Sequence, residues 1–239
     1  EANEPVPGAG TGGNGSCQSQ DGWCSFELGL DNTTWYTFVA PASGSVTIST
    51  DGSDHDTQLA VYEAASCQDV LTGGATLLAA NDDNPNWITT LFSSEVVVTC
   101  LTPGETYFVQ VDGYGGDFGP LVIELTDNGG VAVSATVSGG GLACDGGTVD
   151  VQVDFTGTGP WDIVVDVDGF QLTENGITDN PAIFATDQPG TYTVVSVTDQ
   201  GTGCSTSGTG SAVVTVGTSP VAGFTAAQTA GTLDVDFTN

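Results

Sequence analysis

Oxygen-bearing side chains crowd one stretch of this sequence, Asp51 to Asp83, "DGSDHDTQLAVYEAASCQDVLTGGATLLAANDD". Asp51, Asp54 and Asp56 surround His55, the only histidine, and Asn81, Asp82 and Asp83 close the stretch. Between them Thr57 to Tyr62 alternates as a strand does. If the two ends meet in a hairpin or on neighbouring strands, their oxygens converge, and a hard cation such as calcium takes six to eight such ligands. The competing reading is a set of acidic loop tips, because Asp and Asn favour turns through local hydrogen bonds. The balance tips toward calcium because no Lys or Arg is present to neutralise these carboxylates.

Other groups carry weaker chemistry. His55 between two aspartates has the makings of a base, but no nucleophile motif such as G-x-S-x-G accompanies it, so a loop residue is expected. Tyr114 and Phe118, on the glycine-rich stretch Val111 to Gly119, could stack on a sugar ring; the preferred reading is a turn whose aromatics cap a sandwich. With 30 acids, carboxylate pairs for glycoside hydrolysis are plentiful. No cation or further histidine supports them, and no enzyme is expected.

Composition sets the frame. The 239 residues contain no lysine or arginine, where an ordinary chain would carry about 30. Against 30 acids this gives a formal charge of −30, so self-repulsion must be met by screening, spacing or bound cations. Nucleic acid and anionic membrane surfaces are excluded as partners, since both require basic groups. Yet 38% of residues are hydrophobic, and 35 glycines and 10 prolines punctuate short alternating runs. That is the composition of an all-β protein rather than of a disordered acidic tail. No run of 18 apolar residues occurs, so no membrane insertion is expected.

Six cysteines, at 17, 24, 67, 100, 144 and 204, form no C-x-x-C pair, and a lone histidine cannot complete the usual zinc ligand sets. Disulfides are expected, and with them an oxidising, extracellular setting. Sequence order and domain limits suggest Cys17–Cys24, Cys67–Cys100 and Cys144–Cys204, although six cysteines allow fifteen connectivities.

The elements that must position these groups are short strands. Residues 1–16 lack periodicity and read as a flexible arm or linker, one that orders only against a neighbour. Thr33 to Pro41 and Gly44 to Gly52 read as strands about a Pro-Ala-Ser-Gly turn, with Trp35 or Tyr36, Phe38, Val46 and Ile48 as core candidates. Further runs follow at Thr57 to Ala64, Ala75 to Asp83, Ser93 to Leu101, Thr106 to Gly116 and Gly119 to Asp127. Their spacing is that of a β-sandwich. After the hinge Thr126 to Gly130, alternation resumes; in Thr148 to Phe155 the valines and Phe155 share one face, with Asp150, Gln152 and Asp154 on the other.

In that order, "TWYTFVAPASGSVTIST", "DTQLAVYEA", "AANDD" and "LTPGETYFVQVDGYGGDFGPLVIEL" resemble the bacterial pre-peptidase C-terminal domain, over about residues 20–127. The resemblance implies a calcium-associated, jelly-roll-like sandwich of secreted enzymes and surface proteins, and carries its acidic positions to Asp56, Asp82 and Asp83, then Asp112 and Asp117. Cys67 and Cys100 fit its disulfide-containing variants. Trp161 and "PGTYTVVSVTD" resemble the core of immunoglobulin-like repeats over about 131–217, which would join Cys144 to Cys204. "PVAGFTAAQTAGTLDVDFTN" is similar to the first two strands of a polycystin-type (PKD) repeat. Two strands cannot bury a core alone, so 218–239 either begins a further repeat or is donated to a neighbouring subunit.

The expectation is therefore tandem β-sandwiches: an arm (1–16), a jelly-roll-like domain (17–128), an immunoglobulin-like domain (131–217) and the start of a PKD-like repeat or donated strands (218–239). The expected role is non-catalytic: a segment of an extracellular filament, stalk or adhesin on a bacterial surface, working with copies of itself or adjacent repeats. The alternative is a carbohydrate-binding accessory module of a secreted hydrolase, gripping polysaccharide or another cell surface.

Overall fold

The computed structural model describes residues 3–11, 17–24, 29–84, 92–144, 146–218, 223, 225–228, 230–231 and 235–238. It is almost entirely β, as the alternating runs require. The chain forms two compact units: Glu1–Ser134 with Thr156–Asp162 and Val197–Thr206, and Ala135–Phe155 with Ile163–Ser196 and Ser207–Asn239.

In the first unit the strands are β1 (Thr34–Val39), β2 (Val46–Ser49), β3 (Thr57–Glu63), β4 (Thr76–Asn81), β5 (Glu95–Val98), β6 (Thr106–Gly113) and β7 (Glu124–Asp127), with helix α1 (Cys67–Thr72) between β3 and β4. They build a four-stranded sheet, β1-β6-β3-β4, and a three-stranded sheet, β5-β2-β7. Val46 and Ile48 from β2, Leu59 and Val61 from β3, and Val109 and Val111 from β6 belong to one buried cluster, which Phe38 joins at its margin. Side chains two residues apart share a strand face, so each of these pairs comes from one side of its strand.

Strand β3 departs from the half-buried alternation expected of it: every residue from Thr57 to Tyr62 is buried. The reason is a second cluster, in which Trp23 packs with Ala60, Tyr62 and Ala80, and Trp35 at its edge. Trp23 is fully buried, and its indole Nε1 donates to Leu59 O at 3.0 Å. The segment before β1 thus covers the sheet face that sequence alternation left to solvent.

The described part of the expected arm, residues 3–11, is not free. Gly10 N donates to Trp23 O (3.1 Å), Trp23 N to Gly8 O (3.0 Å), and the buried Gln110 amide to Pro5 O (3.1 Å). An arm without periodicity orders here because its backbone satisfies groups of its own chain.

The disulfides also differ from the expected set. Cys17–Cys24 forms, Cys100 bonds to Cys204, and Cys67 and Cys144 are exposed free thiols. Cys67 opens α1 and shares a groove with Trp35, Tyr36 and Phe108, whereas Cys100 follows β5 beside Leu101, Thr202 and Cys204. A bridge needs Cα atoms within about 7 Å. Cys204 lies in a turn whose carbonyl accepts Asp199 N at 2.9 Å and is committed to Cys100, so neither Cys67–Cys100 nor Cys144–Cys204 forms.

The remaining strands are β8 (Ser134–Cys144), β9 (Val149–Thr156), β10 (Trp161–Val167), β11 (Phe170–Ile177), β12 (Ala182–Thr186), β13 (Gly190–Asp199), β14 (Ser205–Thr206), β15 (Thr209–Gly210), β16 (Ala212–Gly217), β17 (Thr225–Gln228) and β18 (Val235–Thr238). Strands β8 to β16 form a sheet ordered β11-β10-β13-β16-β8-β9-β12, with β14 on β13 and β15 on β8. Cys144 ends β8 across from Gly217, the last residue of β16. Strands β17 and β18 pair with each other, Thr225 opposite Thr238.

Candidate metal centre

Register brings the two acidic ends together. Strands β3 and β4 are antiparallel with Leu59 opposite Asn81, so Asp56, just before β3, lies at the same end of the ladder as Asp82 and Asp83, just after β4. Their carboxylate oxygens lie within 4.8 Å of one another. Among the described residues no other group of three metal-ligating side chains is this close.

Each carboxylate is held differently. Asp82 is buried, and its Oδ2 accepts from Gln58 Nε2 and from Cys24 N, both at 3.1 Å. Its carbonyl accepts from Ser94 Oγ at 2.6 Å. Asp83 donates its N–H to Cys17 O at 2.8 Å, which fixes the backbone and leaves the side chain to the cavity. Asp56 donates its N–H to Asp117 Oδ2 at 3.1 Å and accepts Tyr114 N at its carbonyl at 3.2 Å. Its Oδ1 is buried without any hydrogen-bond partner. The three aspartates face a cavity of about 250 Å³ also lined by Cys17, Cys24, Phe92 and Tyr114.

The electrostatics are those of crowded, partly desolvated anions. Burial, then the negative charges of Asp82, Asp83 and Asp117, push the Asp56 carboxyl up to about 7. Burial raises Asp82 to about 6 despite the Gln58 and Cys24 N–H donors. Burial raises Asp83 as well. Desolvation and like charges both disfavour the anion. A buried carboxylate oxygen without a donor, among three carboxylates in a chain lacking Lys and Arg, is what a hard divalent cation would satisfy. The donor set is all oxygen, which suits calcium rather than zinc.

The other expected ligands are not brought in. Asp51 and Asp54 lie on the loop before β3, and neither joins the close group. Asn81 is fully buried with its amide engaged: Nδ2 donates to Cys17 O, Ser19 O and Asp83 O, each at 3.2 Å, and Oδ1 accepts Glu95 N at 3.0 Å. It organises the turn. Asp112 caps the approach to β1, accepting Asp31 N (3.0 Å) and Asn32 N (2.6 Å). Tyr114 and Phe118 are not paired as a stacking platform: Tyr114 lines the acidic cavity, while Phe118, 77% exposed, lines a separate pocket with His55 and Asn32. His55 Nδ1 is buried without a hydrogen-bond partner.

Sequence reading missed the contribution of Cys17 and Cys24 to this cavity. Their seven-residue separation signalled a local bridge. Nothing in it signalled the parallel bridge of Asp21 to Ala80 that lays the segment beside β4.

Two sheets with an acidic cavity at one end of the β3–β4 ladder define an all-β module. Residues 32–113 match the bacterial pre-peptidase C-terminal domain, a family typical of extracellular bacterial proteins. No curated protein matches the chain.

Proposed function

We propose that the chain is a segment of a non-catalytic, extracellular structural protein, part of a bacterial cell-surface filament, stalk or adhesin, stabilised by disulfides and by calcium at Asp56, Asp82 and Asp83. The observation that carries the cation is Asp56 Oδ1, buried, unpaired and surrounded by negative charge. Calcium there supplies the positive charge that this chain's side chains lack, and carbonyls or water complete its coordination. Asp56 contributes the oxygen that has no donor, Asp82 is oriented by Gln58 and Cys24, and Asp83 is fixed through Cys17. The structural role is supported by two disulfides, by sandwich architecture and by the absence of any lysine or arginine at which trypsin could cut.

In this reading residues 131–217 are an immunoglobulin-like repeat, and 218–239 belong to a PKD-like repeat or are donated to a copy of the chain. Either way the molecule works in series with like units. A carbohydrate-binding module is the second reading, favoured by the exposure of Phe118 on its glycine-rich loop. Thermal melting and negative-stain microscopy with calcium and with excess chelator test the proposal together. Calcium should raise the melting temperature and lengthen the particles. Equal melting and equal particle size would count against it, and retention on a polysaccharide column would then favour the second reading.

A further inference from the structure

Both half-cystines of the first disulfide grip the same residue. Cys17 O accepts Asp82 N at 3.1 Å, and Cys24 N donates to Asp82 Oδ2 at 3.1 Å. Cys17 O also accepts Asp83 N at 2.8 Å and Asn81 Nδ2 at 3.2 Å, so a single carbonyl fixes three consecutive residues of the acidic turn. Both cysteines line the cavity that the aspartates face. Between them, Gln20 O accepts Ala80 N at 3.0 Å, and the Gln20 amide spans to Glu95 O (3.1 Å) and Val97 N (3.0 Å).

From this geometry we infer that Cys17–Cys24 is a positioning clasp for the cation site, so that the site reaches full affinity only in the oxidised chain. The inference rests on the cation reading of Asp56, Asp82 and Asp83. With the bridge closed, the group that holds the Asp82 backbone and the group that orients its carboxylate are tied together across a short loop. Partners of this kind set ligand orientation, and their loss typically costs about ten- to a hundredfold in metal affinity. Opening the bridge with a dithiol transfers two electrons and two protons: Cys17 and Cys24 each become a thiol, and the dithiol closes to its own disulfide. In a reducing cytosol the clasp stays open, and in an oxidising exterior it shuts. Cation binding is thereby coupled to arrival outside the cell.

The test is calorimetric titration of calcium into the full chain, with far-UV circular dichroism on every sample. Oxidised wild type should bind. C17S/C24S, and wild type reduced with a dithiol, should bind about ten- to a hundredfold more weakly while keeping the β-sheet spectrum. C100S/C204S, which removes the other bridge, should bind as wild type does. Equal affinity of C17S/C24S and wild type overturns the inference and leaves the cation site standing. Loss of the β-sheet spectrum in C17S/C24S also overturns it, because the bridge is then a staple of the whole unit. If oxidised wild type takes up no calcium, the cation reading itself fails.

Discussion

Asp56 sets the terms at the scale of single residues. Its carboxyl and that of Asp82 are raised to about 7 and about 6, against 3.8 in the unfolded chain. Between those limits the metal-free folded state binds more protons than the unfolded one, so stability falls as pH rises from about 4 to about 7. The penalty is complete above the folded values and absent below the unfolded one. Calcium bound at the proposed site would remove it, so the gain in melting temperature on adding calcium should grow over the same interval. Asp56→Asn should raise the metal-free melting temperature at neutral pH, abolish the calcium response and flatten this pH dependence; scanning calorimetry at several pH values reads all three. Asp199 is the contrasting case. Burial alone would raise its carboxyl, but donors including Thr158 N (2.6 Å), Thr158 Oγ1 (3.0 Å) and Gly201 N (2.8 Å) outweigh that and hold it below the ordinary value. Asp199→Ala should therefore cost about 2–3 kcal/mol by urea unfolding, through loss of charged hydrogen bonds rather than of any ligand. Acidic side chains look alike in sequence. Which of them converge is decided by strand register and loop path, and so Asp51, Asp54 and Asn81 read the same in sequence as Asp56, Asp82 and Asp83.

At the scale of elements, strands were legible because period-two alternation is written residue by residue. The antiparallel meeting of Asp56 with Asp82 and Asp83 followed from reading Thr57 to Tyr62 and the run up to Asp83 as neighbouring strands. What was not legible depends on contacts remote in sequence. Burial of both faces of β3 requires Trp23, and the Cys100 partner lies 104 residues away. Trp23→Ala removes a fully buried indole and its bond to Leu59 O and should cost about 3–5 kcal/mol in chemical unfolding. C100S/C204S opens a loop of 104 residues and should cost about 2–5 kcal/mol in the same experiment. Thiol labelling of the native oxidised chain should modify Cys67 and Cys144, and leave Cys17, Cys24, Cys100 and Cys204 unlabelled.

For the whole molecule the governing fact is a formal charge of −30 with no Lys or Arg to offset it. Self-repulsion between exposed carboxylates is screened within about 8 Å at physiological ionic strength. The melting temperature should accordingly rise with sodium chloride from about 0.01 to about 0.15 M. The increment from calcium should persist at the higher salt, since the Asp56, Asp82 and Asp83 cavity is partly shielded from bulk ions. Composition pointed early to the class of molecule, an acidic all-β chain with disulfides. The proposed cation site is where charge, burial and architecture converge, and calorimetric titration of calcium into the wild-type chain and into Asp56→Asn and Asp83→Asn tests it most directly. The account predicts uptake at a site in the wild type that both variants lose. Undiminished uptake by Asp56→Asn, or none by the wild type, would contradict it.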